Sequence, residues 1–191
     1  MQQYDAYFRY LKTRSRLALM YRRAWLYPRL SAQVRGRVLD VGCGIGDMLK
    51  ARRGTVGVDI NPHLVEYCRN QGLDAHLMEP NQLPFESGSF DGAILDNVLE
   101  HIADPGPLLA EIHRVLRAEA RFIVGVPGAF AYTLDPDHKH FYSESQLHAR
   151  MNSAGFALIR TLYSPFRSSS LDSSLRWYAI YGVYEKRFAG E

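Results

Sequence analysis

Apolar positions along this chain alternate between two periods. Residues 38–41, 55–60, 75–78, 90–95 and 121–126 are short apolar runs rich in β-branched residues, and each predicts a buried strand. Between them, apolar residues recur at three- and four-residue steps. Leu64, Val65 and Cys68 line one helix, and Leu108, Leu109, Ile112, Val115 and Leu116 line another. Asn61-Pro62 and Asp104-Pro105 read as helix starts and Gly72 as a stop. A short helix is predicted over 47–53. Ser143 and Gln146 form a capping box for a helix ending near Gly155. Two further strands are predicted at 156–163 and 177–185, the second rich in tyrosine, with a serine-rich turn at 168–170 between them. Strands alternating with helices specify an α/β fold, a doubly wound, mostly parallel sheet of seven strands covered on both faces.

The first thirty residues differ. Tyr4, Tyr7, Phe8, Leu11, Ala18, Tyr21 and Trp25 repeat at helical spacing with basic residues between, and Pro28 is expected to close the helix. Residues 1–30 therefore read as a helical extension and residues 31–191 as the main domain. Two roles suit the extension: a lid that brings Tyr7 and Tyr21 to a substrate, or an aromatic stripe packed on the sheet edge.

Candidate chemistry concentrates after the first strand. Glycines at 42, 44 and 46 follow Val38-Leu-Asp-Val41, and Asp47 opens a helix. A strand, a glycine loop and a helix N-terminus make a nucleotide-sized cradle. The spacing is G-x-G-x-G, whereas a dinucleotide fold requires G-x-G-x-x-G, and Asp47 takes the third dinucleotide position. Acids at 40 and 47 disfavour a pyrophosphate and suit a cationic ligand. A tight turn with no ligand is the alternative. The second strand ends in Asp59, placed where a carboxylate can accept from ribose hydroxyls.

With V-L-D-V-G-C-G-I-G, G-V-D-I, L-P-F-E-S-G-S-F-D, L-E-H-I and E-I-H-R-V-L-R in this order, the chain resembles the class I S-adenosylmethionine-dependent methyltransferases over residues 37–160, in the group that acts on small molecules. The resemblance implies a Rossmann-like fold with S-adenosyl-L-methionine as cofactor and S-adenosyl-L-homocysteine as product. It implies cofactor contacts at Asp40, Gly42, Cys43, Gly44, Gly46, Asp59, Ile60, Asp96 and Asn97. Glu79 or Asn81 would meet the adenine amine, in place of the usual aspartate, and Leu83 the adenine face. Ala118-Glu119-Ala120 replaces the family's Pro-Gly-Gly, a change expected to affect a turn.

After the fifth predicted strand, Asp135-Pro-Asp-His-Lys-His-Phe-Tyr142 interleaves histidines with aromatics. Histidine titrates near neutrality and can take a proton from an acceptor hydroxyl. His140, then His138, then His101 are the candidate bases, with Asp96 as a fallback and Tyr142 as a substrate contact. The H-x-H pair has no evident third ligand nearby in the sequence, so no metal is expected.

Charge is uneven. Residues 1–37 hold nine Lys/Arg and one acid, against a net charge of +3 for the whole chain. A basic arm can mark a polyanionic partner, such as nucleic acid or an anionic membrane surface. A solvated basic helix face is the preferred reading, with peripheral membrane contact left open. No apolar run approaches the ~20 residues of a membrane span. Two cysteines make neither a disulfide framework nor a zinc pattern, which fits a cytoplasmic, reduced setting. The function expected is methyl transfer to oxygen or nitrogen, less readily carbon, of a small molecule. The Asp135–Tyr142 segment suggests a sugar or a carrier-linked intermediate. The alternatives are an RNA or protein methyltransferase guided by the basic arm, and a non-catalytic cofactor-binding module.

Overall fold

A computed structural model describes residues 15–187. Seven strands form one sheet: β1 (Val38–Val41), β2 (Thr55–Asp59), β3 (Ala75–Leu77), β4 (Phe90–Asp96), β5 (Leu116–Pro127), β6 (Phe156–Ser164) and β7 (Ala179–Lys186). Their order is β3-β2-β1-β4-β5-β7-β6. The first five run parallel, and β7 inserts antiparallel between β5 and β6. The mostly parallel, doubly wound sheet read from the sequence is therefore present.

β1 and β2 are buried along their whole length. A parallel strand covered on both faces has no solvent side, and this is why their apolar runs are continuous. Two of the helices that cover the sheet begin where their caps predict, whereas Gly106–Val115 starts one residue late, with Pro105 in place of Asp104 at its cap. Asn61 accepts from the His63 N–H at the start of the helix Pro62–Asn70, and Ser143 and Gln146 exchange both bonds of a capping box before Glu144–Ser153. The sheet order reverses between β1 and β4. In open α/β sheets the ligand crevice lies at that switch point, outside the carboxyl ends of the strands.

Several boundaries differ from the sequence reading. The helix does not stop at Pro28: Arg16–Tyr21 leads into a π-helical stretch, Arg22–Leu26, and then Tyr27–Ser31. The wider turn immediately precedes the proline, whose ring collides with the carbonyl four residues back in a regular α-helix. The inserted residue also rotates the buried face. Leu26, Tyr27 and Leu30 point into the core beside Val38, Ile94 and Ile123, while Trp25 of the predicted stripe is exposed. The extension is thus part of the core at its C-terminal end. Tyr4, Tyr7, Phe8 and Leu11 lie outside the described residues.

β5 starts at Leu116, five residues before its expected start. Its register to β4 shifts between Phe90 and Gly92, and Glu119 takes a φ of 59°. Ala118-Glu119-Ala120 therefore forms an irregularity within the strand instead of a separate turn. The helix expected over 47–53 ends at Ala51, and the serine turn is a short helix, Ser169–Asp172, capped by Ser168.

Candidate active site

β1 leads into the glycine loop, and backbone bonds set the loop's path. The N–H groups of Gly42 and Cys43 both donate to the Val58 carbonyl of β2, at 2.8 and 2.9 Å, and the Gly46 N–H donates to the Cys43 carbonyl at 2.9 Å. Gly42 has a φ of 76°. A Cβ there would sit 2.5 Å from Val98 Cγ2, so both the left-handed backbone and the close approach of the segment after β4 require glycine. The Cys68 thiol donates to the Gly44 carbonyl from the helix behind at 3.3 Å. Cys43 and Cys68 are buried and act as packing.

Asp59 is the loop's brace. One carboxylate oxygen accepts from the Gly44 N–H and the other from the Asn61 N–H, each at 2.9 Å. The Ile60 N–H also bonds the carboxylate, and the acceptor capacity that remains is what a ribose diol would use. Burial raises the Asp59 carboxyl above its ordinary range despite these bonds. Asp40 is buried alongside and is raised further, first by burial and then by the charges of Asp96 and Asp59. Three acids thus converge on one rim, at an electrostatic cost that a cationic ligand would relieve.

Asp96 ends β4, as expected, but it is not free to act as a base. It accepts from the Tyr181 hydroxyl at 2.9 Å and the Asn97 side-chain amide at 2.7 Å, and it pairs with Arg22. Arg22 also donates to the Tyr27 hydroxyl at 2.9 Å, and Arg23 stands 3.8 Å from Asp47 at the start of the loop helix. These contacts tie the N-terminal helix to the rim. Arg22 and Tyr181 were not singled out from the sequence. Arg22 is one of many basic residues in the arm, and nothing local distinguishes it.

The remaining cofactor candidates lie in the segments that follow β2, β3 and β4. Ile60 is 44% exposed directly after Asp59, and Asn97 has a φ of 54° with its N–H on the Gly125 carbonyl. Glu79 and Asn81 are exposed on a loop closed by a bridge between Glu79 and Gln82. Leu83 is buried in the main core, its N–H held by Glu111, which Arg114 fixes in turn. The glycine cradle, the braced Asp59 and the converging acids fit a cationic nucleoside better than a pyrophosphate.

The histidines divide into two environments. His140 is exposed, with Nε2 donating to the Ala103 carbonyl at 2.9 Å. It borders an open groove of about 370 Å³, with Pro105, Tyr142, Gln146 and Arg150 on its walls. Tyr142 is half-buried there, and burial raises its phenol above the usual range. Tyr21 bonds Ser164 at 2.7 Å and stacks near Trp177.

His138 lies deeper, its side chain 7% exposed. It stacks on Tyr132 and faces His101, with ring centroids 5.1 and 4.7 Å apart. Beside them is Glu100, 1% exposed, with neither carboxylate oxygen hydrogen-bonded among the described residues. Burial pushes its carboxyl up to about 8. His138 thus has Glu100 and His101 as neighbours, brought to it from a segment far from the H-x-H pair in the sequence. Glu100 was visible only as part of L-E-H. Its burial follows from the short 3₁₀ turn Leu99–His101, which no sequence period signals.

Residues 39–124 match the methyltransferase domain family. Among curated relatives, a probable S-adenosylmethionine-dependent methyltransferase of Mycolicibacterium smegmatis is 29% identical over 150 residues, 72% of this chain and 58% of that protein. The ubiquinone/menaquinone biosynthesis C-methyltransferase of Citrifermentans bemidjiense is 30% identical over 122 residues, 56% of this chain and 52% of that protein. The chain thus spans little more than half the length of these curated relatives. A Thermotoga maritima crystal structure, described as a SAM-dependent methyltransferase and possible histamine N-methyltransferase, superposes with a TM-score of 0.75. It covers 98% of this chain and 100% of that one at 20% identity, a likeness of fold. The methyltransferase-domain match over residues 39–124, the ordered motifs, the seven-stranded topology and the acid-lined glycine rim are together similar to those of the class I S-adenosylmethionine-dependent methyltransferases.

Proposed function

We propose that this protein transfers a methyl group from S-adenosylmethionine to an oxygen or nitrogen of a small-molecule acceptor. A hydroxylated compound, such as a sugar or a carrier-linked intermediate, is the acceptor class that fits best. The bound cofactor supplies a methyl group already activated on a positive sulfur. The chain's own residues then have three tasks: to hold the nucleoside, to complement the charge and to deliver the acceptor.

Asp59 and the glycine loop perform the first task and Asp40 contributes to the second. Asp96 secures the helix that walls the site. The observation that carries the acceptor reading is the groove beside His140 and Tyr142. It is built from segments that leave the carboxyl ends of β4 and β5, the rim on which the cofactor residues stand. With Nε2–H committed to the Ala103 carbonyl, the neutral His140 ring keeps its Nδ1 lone pair, the base for an acceptor proton. His138 and His101 are less suited to that role, since both are drawn into the packed cluster with Glu100.

The RNA reading draws on relatives named as tRNA methyltransferases, such as a probable human one at 30% identity over 116 residues, 24% of that protein. The described part of the basic arm gives it little support. In the described residues Arg22 and Arg23 face Asp96 and Asp47, and Arg29 donates to the Pro165 carbonyl. Arg22 and Arg29 are occupied by the protein's own body, while Arg23 is largely exposed.

The test is methyl transfer from a labelled donor to separate pools of hydroxylated small molecules, small amines and total tRNA. Label in the first pool, reduced at least tenfold in His140→Ala with S-adenosylhomocysteine affinity kept, supports the reading. Label confined to tRNA, with strong salt dependence, replaces it.

A further inference from the structure

Glu100, His101 and His138 form a cluster that the cofactor site does not use. Each offers one donor atom, and the three atoms lie within 4.8 Å of one another. Two elements bring them together: the 3₁₀ turn after β4 and the loop after β5. The N–H groups of Lys139 and His140 both donate to the Glu100 carbonyl, at 2.7 and 3.2 Å, which locks one segment onto the other.

The histidine is oriented as a metal ligand requires. His138 Nδ1 donates to the Tyr132 carbonyl at 2.7 Å, so its Nε2 carries the lone pair. That nitrogen faces Glu100 Oε1 at 3.9 Å, too far for a hydrogen bond. Glu100 is almost fully buried with both oxygens unpartnered among the described residues. A carboxyl in that position must either keep its proton or meet a cation, and no hydrogen-bond partner among the described residues holds that proton. The geometry points to a divalent transition-metal site formed by Glu100 Oε, His138 Nε2 and a ring nitrogen of His101.

Two imidazoles and a carboxylate suit zinc and its first-row neighbours better than calcium or magnesium. Tetrahedral ligands about 2.1 Å from an ion stand about 3.4 Å apart, so the Glu100–His138 gap closes by roughly 0.5 Å on binding. Three protein ligands leave positions for water or for an oxygen of the acceptor, and a hydroxyl bound there would lose its proton more readily. That last role rests on the proposed small-molecule methyl transfer, whereas ion binding does not.

The experiment titrates chelator-treated full-length protein with Zn²⁺ by calorimetry and with Co²⁺ by visible absorption. S-adenosylhomocysteine binding is measured in parallel. The expected result is one ion per chain, bound at least tenfold more weakly by Glu100→Gln and by His138→Gln. Both variants keep their S-adenosylhomocysteine affinity, which reports that they are folded. His140→Gln binds the ion as the parent does. Absence of saturable ion binding in protein that binds S-adenosylhomocysteine overturns the inference. So does ion binding that survives both cluster variants or is lost in His140→Gln. Ion binding without S-adenosylhomocysteine binding would leave the metal site standing and remove the methyltransferase reading.

Discussion

The pairing of Arg22 with Asp96 joins the N-terminal helix to the acid-lined glycine rim, and its loss has a calculable size. Arg22 and Asp96 side chains are 23% and 11% exposed, so the pair is largely out of water. Arg22→Met keeps the apolar stem but leaves Asp96 unpaired beside the already crowded Asp40 and Asp59. Breaking a fully buried pair by removing one partner costs about 3–5 kcal/mol, and the residual exposure of Arg22 argues for somewhat less, about 2–3 kcal/mol. Taking a urea m-value of about 2–3 kcal/mol per M, the midpoint falls by roughly 1 M. Asp96→Asn keeps an acceptor for Tyr181 and removes the charge. Combined with Arg22→Met it should cost less than the two single changes together, a coupling of at least about 1 kcal/mol in a double-mutant cycle. Additive losses, or an Arg22→Met cost below about 0.5 kcal/mol, would show that the helix rests on Leu26, Tyr27 and Leu30 alone.

Other expectations follow from the same rim. Asp40 is raised above its ordinary 3.8 by burial and by Asp96 and Asp59. The folded state holds that proton after the unfolded chain has released it, so this group's stabilisation is complete below about pH 4 and fades as pH rises through the raised value. Asp40→Asn should therefore gain stability relative to the parent as pH rises above about 4 in urea titrations; a constant difference would contradict the assignment. Gly42→Ala places a Cβ 2.5 Å from Val98 at a left-handed φ. It should lose about 2–3 kcal/mol of stability from strain and overpacking, and S-adenosylhomocysteine affinity with it; a neutral thermal shift would refute the close approach. Asp59→Ala should weaken cofactor binding at least tenfold in calorimetry, while His140→Ala lowers turnover at nearly unchanged cofactor affinity. Equal cofactor loss in both would sink that division of roles.

The sheet and the acid-lined glycine rim were legible because local chemistry dictates them. Buried parallel strands must read as apolar runs, and a loop passing within a methyl group of Val98 must carry glycine. Asp59 was legible for the same reason, since its place at the end of β2 follows from the strand itself. What escaped the sequence depends on partners distant in the chain. Arg22 acquires its role only when Asp96, 74 residues away, meets it. Glu100 becomes unusual only when the loop after β5 covers it. Pro28 misled because a proline's effect depends on the turn before it, and a π-helical turn has no simple sequence signature. The start of β5 was missed because its first residues, Leu116 to Glu119, carry charge at an irregular edge of the sheet and show no alternation.

The central claim is that the acid-lined glycine rim holds a charged adenosyl cofactor. Calorimetric titration with S-adenosylhomocysteine, with NADH in parallel, tests it most directly. The account predicts saturable one-site binding of S-adenosylhomocysteine, weakened by Asp59→Ala, and none of NADH. Folded protein that binds NADH, or neither ligand, would contradict it.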